Sequence, residues 1–305
     1  MFSAPTKSTP LKQLEILRKR TTLSLGQQRI YARLSTGYIG ELHLSELLRN
    51  HLNLKAVKLF DLHLKIGESE CQIDSLLIFQ NECILLEVKH YQGDFTIKND
   101  GWYMMTNEEI KNPIAQLQRT ELLLKRLFKE EKISLNIRPF ILFTNPEFHL
   151  YEAPENFPVV FPTQLNRFIQ KLHKIPCHIT ERHHEIIERL KSKHLLSSSY
   201  ESKIQYKHEL LKKGVTCKKC EGFMELIGRK HMSCTKCKFV ESIFDSIVRS
   251  VYEFHTLFPE RKITTPAISE WIGQTISDHY LRVILSEQFI SIGKARATHY
   301  VLDKE

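Results

Sequence analysis

Long hydrophobic runs are missing from this chain of 305 residues. Its longest apolar stretches, Ser75-Leu76-Leu77-Ile78-Phe79 and Cys83-Ile84-Leu85-Leu86, have the length of buried strands and fall short of a helical membrane span. Met1 to Pro10 is polar and lacks the apolar centre of a signal peptide, so the expectation is a soluble, cytoplasmic protein with no membrane partner. There is no internal repeat and no long low-complexity tract, which argues against a solenoid or a disordered tail. A phosphate-cradling G-x-x-x-x-G-K-[ST] loop is absent too, so any motor must come from a partner. The cysteines do not form an even set. There are 7, four of them in two Cys-x-x-Cys pairs, a usage that favours metal binding in a reducing compartment over a disulfide framework.

What is present supports an ordered chain. The hydrophobic fraction is 42%, with 17 Phe and 10 Tyr, enough to bury a core, and the length suits two or three domains. Lys and Arg outnumber Asp and Glu, 44 to 35, for a formal charge of +9. Such a balance points to a polyanion, nucleic acid before anionic membrane, but does so weakly by itself.

Residues 11–50 have helical spacing (Leu11, Leu14, Leu17, then Leu42, Leu47, Leu48), interrupted by Gly26 and Gly37, which predicts two helices. Val57–Ile66 alternates in part, with Leu62, Leu64 and Ile66 on one face. Ile73–Phe79 and Cys83–Lys89 read as a hairpin turning at Gln80-Asn81-Glu82, and Gly93–Met105 as a second strand pair turning at Asn99-Asp100-Gly101. Asn112-Pro113 opens a long amphipathic helix to about Lys129, with proline at its first position. Strands follow at 137–143 and 159–161, and helices at 163–174 and 179–195. The order reads as a mixed α/β domain.

In a hairpin centred on Asn81, Asp74 falls opposite Glu87, and two facing carboxylates offer the hard oxygen ligands that Mg²⁺ takes. Lys89 lies two residues past Glu87, on the same face of the strand. That trio suits phosphodiester hydrolysis: an ion polarises a phosphoryl oxygen and activates water, while Lys89 holds the attacking water or the developing negative charge. An Asp, a Glu and a Lys near strand ends are usually solvated surface residues. Here they sit among Ile84, Leu85, Leu86 and Val88, where unpaired charge is costly.

Five motifs in order, Gly37-Tyr38-Ile39-Gly40-Glu41, Gln72-Ile73-Asp74-Ser75-Leu76-Leu77, Leu86-Glu87-Val88-Lys89, Gly93 with Gly101-Trp102, and Asn112-Pro113-Ile114-Ala115-Gln116, resemble the NERD (nuclease-related) domain of the PD-(D/E)xK nuclease superfamily. The resemblance covers about residues 35–145. It implies a restriction-endonuclease-like mixed sheet flanked by helices. It also implies that Glu41, Asp74 and Glu87 hold Mg²⁺ (or Mn²⁺), that Lys89 is the catalytic lysine, and that Gln116 is the polar helix residue orienting water or phosphate. Glu41 as a plain helix-surface charge and Gln116 as a surface amide stay open. The His90-Tyr91 pair departs from the small polar residue usual after the lysine, which bears on substrate contacts. His43 reads as a surface or partnered histidine, and Glu46 lies about 140° round the helix from Glu41.

Cys217-Lys-Lys-Cys220 and Cys234-Thr-Lys-Cys237 have the spacing of a structural zinc site, resembling a zinc ribbon. Four thiolates close the coordination, so the expected Zn²⁺ serves folding and not chemistry. His231 is a substitute ligand on spacing alone. Cys71, Cys83 and Cys177 read as ordinary thiols. Residues 203–240 hold ten Lys or Arg against three Glu, and Lys218, Lys219, Arg229 and Lys230 are candidates for phosphate contact. A solvated surface is the alternative.

Beyond residue 242, helices at 243–258, 266–272 and 278–288 precede two short strands at 289–294 and 298–302, a pattern that resembles a winged helix-turn-helix. Asp278–Gln288 would be the recognition helix, with Arg282 on it and Lys294 and Arg296 on the wing as candidate DNA contacts. Partner docking or dimerisation is the other use of such a module. The expected division is a helical extension (1–34), the nuclease domain (35–195), a linker (196–212), a zinc ribbon (213–241) and a winged-helix-like domain (242–305). The reading is a Mg²⁺-dependent endonuclease acting on DNA, in DNA processing or defence against foreign DNA, alone, as a homodimer or in a larger complex. The rival is a catalytically silent nucleic-acid-binding or regulatory protein on the same scaffold.

Overall fold

The structure is a computed structural model that describes residues 4–52, 56–99, 101–195 and 204–302, the side chain of Arg296 apart. It divides into two compact units: Met1–Lys7 with Ala32–Glu201, and Ser8–Tyr31 with Ser202–Glu305.

The first unit is built on a five-stranded sheet in the order β1-β2-β3-β7-β9. Its strands are β1 (Val57–Ile66), β2 (Ser69–Ile78), β3 (Glu82–Lys89), β7 (Asn136–Phe143) and β9 (Val159–Val160). The first three are antiparallel neighbours, and β3, β7 and β9 run parallel. A smaller sheet holds β4 (Gly93–Lys98), β5 (Gly101–Met104), β6 (Glu109–Ile110) and β8 (Phe148–Tyr151). Helices α3 (Pro113–Glu130) and α5 (Glu181–Ser192) bury Leu117, Leu124, Leu127, Ile186 and Leu190 in one core. Helices α2 (Leu25–His51) and α4 (Leu165–Leu172) bury Leu44, Leu48, Phe168 and Leu172 in another. Strand β3 feeds both by alternation: Cys83 and Leu85 enter the α3 core, while Ile84, Leu86 and Val88 enter the α2 core. Its parity continues to Glu87 and Lys89, which places them on the α3 side.

Strand β1 departs from simple alternation at one residue. Leu59 packs in the α3 core and Phe60 in the α2 core, yet past Asp61 it is Leu62, Leu64 and Ile66 that share the α3 core. Asp61 has φ 51°, in the left-handed region, and the ladder skips it, pairing Phe60 with Ser75 and Leu62 with Ile73. The strand thus changes face by a local kink at Asp61, without an inserted residue, since the register is the same on both sides of it. Opposite it on β2, Ile73 and Leu76 both reach the α3 core, so the change of face includes Asp74.

The second unit opens with α1 (Thr9–Arg20), which the sequence reading placed in a separate helical extension, residues 1–34. The helix packs instead on α6 (Ile243–Leu257). The reason is local: buried Leu11, Leu14 and Leu17 make one face, and fully buried Arg20 ends it. Arg20 donates to the carbonyls of Lys212 (3.0 Å) and Gly214 (3.1 Å) and to Glu253 Oε2 (2.9 Å), and lies 3.7 Å over the Trp271 ring. A three-stranded sheet of β10 (Met224–Ile227), β11 (His231–Cys234) and β12 (Val240–Ser242) carries the cysteines. Helices α6, α7 (Thr265–Trp271) and α8 (Asp278–Gln288) then precede the hairpin β13 (Ile290–Ile292) and β14 (His299–Val301), the order read from the sequence. Residues 196–203 of the expected linker, and Asp100 of the expected turn, lie outside the described residues. Further on, residues 208–210 form a short 3₁₀ turn with His208 buried.

Candidate active site

The β2–β3 ladder pairs Ser75 with Leu86, Leu76 with Leu85 and Ile78 with Cys83. This is the register that sets Asp74 and Glu87 across from each other, one step beyond the last pair. The Val88 N–H donates to Asp74 Oδ2 at 2.7 Å, which ties the aspartate to the far strand. Glu87 is only 4% exposed. Its Oε1 accepts from Lys89 Nζ at 2.7 Å and from Gln116 Nε2 at 2.5 Å, and Lys89 Nζ also donates to Gln116 Oε1 at 3.0 Å.

Gln116 reaches this point because α3 starts three residues earlier, at Pro113, at a fixed place. Asn112 Oδ1 caps the helix, accepting from the N–H groups of Ile114 (2.9 Å) and Ala115 (3.3 Å), and Pro113 fills the first turn without wasting a donor. Glu41 comes from the opposite side of the sheet. A Cβ on Gly40 would stand 2.8 Å from His90 Cβ and 3.3 Å from Val88 Cγ1. The bare glycine therefore lets α2 lie against the end of β3 and carries Glu41 alongside. Thr144 Oγ1, hydrogen-bonded to His90 Nδ1 at 2.9 Å, completes that contact.

The electrostatics are those of an acid cluster short of positive charge. Burial first, then Glu87 and Glu41, push Asp74 well above the carboxylate range, against Lys89 and the Val88 N–H. Burial, then Asp61 and Glu87, push Glu41 up to about 8. Burial would lower Lys89, but Glu87, Tyr91 and Asp74 outweigh it and hold the ammonium above its ordinary value. Lys89 is therefore a fixed cation. The oxygen donors, desolvated and mutually repelling, suit a hard divalent cation, which would relieve their repulsion. As a trio those carboxylates stand too far apart to count as a closed ligand set. Among the described residues, only the four cysteines bring three or more metal-binding side chains within 4.8 Å of one another.

Asp61 is the residue that sequence reasoning missed. It faces Glu41 electrostatically, accepts from Gln72 Nε2 at 3.1 Å and from Thr6 Oγ1 at 3.3 Å, and sits opposite Asp74 on β1. Nothing in the alternation of β1 signals a left-handed residue there; the one hint is that aspartate tolerates this conformation better than most side chains. His43 and Glu46 are exposed, and the His43 ring lies 6.4 Å from that of His90.

In the second unit, Cys217 Sγ lies 3.7 Å from Cys237 Sγ and Cys220 Sγ lies 3.4 Å from Cys234 Sγ. Four sulfurs at about 2.3 Å from a tetrahedral Zn²⁺ stand about 3.8 Å apart, so the cage fits that ion. The N–H groups of Lys219, Gly222 and Lys236 point at Cys217, Cys220 and Cys234. Although burial opposes it, the N–H groups of Cys237 and Lys236 and the Cys220 thiol pull Cys234 down to about 6, favouring the thiolate. Lys218, Lys219, Arg229, Lys230, Arg282 and Lys294 are exposed, while the Arg296 side chain lies outside the described residues. Lys218 and Lys219 share the Phe239 ring, at 5.3 and 4.7 Å. Arg229 lines a separate open cavity of about 420 Å³ with Thr275, Ser277 and Tyr280.

A mixed sheet between helix layers, with acids and a lysine gathered at neighbouring strand ends, defines the restriction-endonuclease-like class. Residues 36–144 match the family model of the nuclease-related domain, and this part of the chain is such a domain. No curated protein matches the chain significantly. One solved structure does, protein VC1899 from Vibrio cholerae, at 10% identity and a TM-score of 0.26, over 50% of this chain and 36% of that one. No helix among the described residues is long and apolar enough to cross a membrane.

Proposed function

We propose that the chain is a metal-dependent endonuclease that hydrolyses phosphodiester bonds of DNA, with the second unit holding nucleic acid. The observation that carries this reading is the convergence of Glu87, Lys89 and Gln116 within one hydrogen-bonded knot, next to Asp74, inside the family-matched stretch. Asp74, Glu87 and Glu41 would hold Mg²⁺ or Mn²⁺, which supplies a polarised phosphoryl oxygen and a water of lowered pKa. Without such an ion the carboxylates would repel a phosphate.

The chain's own groups do the rest. Asp74 is fixed by the Val88 N–H and so presents its other oxygen outward. Glu87, Tyr91 and Asp74 favour the ammonium of Lys89 in the metal-free chain, and Lys89 would act as a donor to the attacking water or to a phosphate oxygen in the transition state. Gln116 is exposed at the mouth of the site, where its amide can turn from Glu87 and Lys89 toward water or phosphate.

The test is cleavage of plasmid and single-stranded DNA with Mg²⁺ or Mn²⁺ by the wild type, Glu87→Ala and Lys89→Ala. Cutting should disappear in both variants while DNA binding persists. Equal cutting by all three chains would refute the assignment.

A further inference from the structure

We propose that the knuckle face of the four-cysteine sheet binds single-stranded nucleic acid, with an unpaired base stacked on Phe239 and the adjoining phosphates on Lys219, Lys236 and Lys238. The inference deepens the reading that the second unit holds nucleic acid, and it is independent of the cutting residues. Lys218 and Lys219 fill the two variable positions of the first knuckle, and Lys236 one of those in the second. The same N–H groups that point at the sulfurs, from Lys219 to Cys217 (3.3 Å) and from Lys236 to Cys234 (3.4 Å), fix the backbone from which these lysines project. The metal cage thus sets out a row of cations in advance. Lys238 extends the row from a left-handed turn, φ 58°.

The cations are available. Lys218 spends part of its charge on Glu241, 3.6 Å away, but among the described residues no carboxylate pairs with Lys219, Lys236 or Lys238, all exposed. Phe239, half-buried, follows Lys238 in the chain and lies under Lys219, and the next residue, Val240 on the outer strand β12, is 47% exposed. In the free protein the ammoniums of Lys218 and Lys219 rest near the Phe239 ring, and Lys219 does so with no carboxylate partner among the described residues. A single strand satisfies both parts at once: the phosphates draw the lysines off the ring, and a base takes their place, since every base has a π-face. A duplex supplies the phosphates but keeps its bases stacked inside, so the ring adds nothing to its binding.

The experiment uses the full zinc-loaded chain carrying Glu87→Ala, with no added Mg²⁺. Fluorescence anisotropy reads its affinity for a thymidine oligomer and for a blunt duplex of equal length. Phe239→Leu, which keeps apolar bulk without a stacking face, should weaken oligomer binding about tenfold and leave the duplex unchanged. Phe239→Trp should match or exceed the starting chain. Zinc content is measured on each variant. If leucine costs the zinc, Lys219→Gln with Lys236→Gln decides, because the proposal requires weaker oligomer binding and a shallower salt dependence. Unchanged oligomer affinity in a zinc-loaded Phe239→Leu, or equal losses on oligomer and duplex, would overturn it. Because no cutting is read, failure here leaves the nuclease assignment standing, and failure to cut leaves this site standing.

Discussion

Lys89 lies 2.7 Å from Glu87 and feels Asp74 behind it, so its ammonium persists despite burial. Removing it should cost about 100-fold or more in cleavage, the scale of a lost donor to developing negative charge. The loss should be alike from pH 6 to 9, because no lysine titration underlies it; a loss confined to high pH would show that Lys89 acts as a base. The carboxylates behave differently. Glu41, ordinarily near 4.5, is held at about 8, and Asp74 is displaced in the same direction. Between about 4.5 and 8 the metal-free folded chain keeps a proton that the unfolded chain has lost. Its stability is therefore full below that window and falls as pH rises through it. A divalent ion displaces the proton, so Mn²⁺ should raise the melting temperature of the first unit more at pH 8 than at pH 5. Equal shifts at both would sink the proposed ligand role of Glu41. Asp61→Asn removes one of the charges that raise Glu41, and should move the onset of the Mn²⁺ effect to lower pH.

At the scale of elements, the β2–β3 hairpin was legible because Gln80-Asn81-Glu82 separates two short apolar runs of strand length. Asp74 and Glu87 then follow by register. The cap at Asn112 was equally local. The kink at Asp61 was not, since a left-handed residue in a strand is decided by what it must face across the sheet. Nor was the purpose of Gly40 readable in physical terms, although it belongs to the first family motif. A glycine in a helix interior costs stability, and only the approach of His90 and Val88 explains it. Gly40→Ala should consequently push α2 away from the end of β3. Against a gain in helix propensity of about 1 kcal/mol, overpacking costs about 1–3 kcal/mol. The net change in stability should be small, while cleavage falls at least tenfold because Glu41 is displaced. Thermal unfolding beside a Mn²⁺ titration of cleavage rate checks both halves: full activity with normal metal dependence would mean that Glu41 does not belong to the site.

On the scale of the whole molecule, the leucines of α1 announce that the helix packs but not on what, because an amphipathic face carries no address. The structure answers that through Arg20, whose guanidinium closes the gap between Glu253, two backbone carbonyls and the Trp271 ring. Segments 8–31 and 202–305, which flank the nuclease-related domain in sequence, therefore make one compact unit. Each unit holds one of the chain's 2 tryptophans, Trp102 in the first and Trp271 in the second, both fully buried. Their fluorescence reports on the two units separately once the other ring is replaced by Phe. Arg20→Met removes one partner of a buried ion pair, and because Glu253 keeps Thr216, Lys19 and Arg249 the loss should be about 1–3 kcal/mol. Cys217→Ser opens the metal cage and should release zinc. Both variants should lower the Trp271 transition and leave the Trp102 transition where it was. If Arg20→Met shifted Trp102 instead, α1 would belong with the first unit.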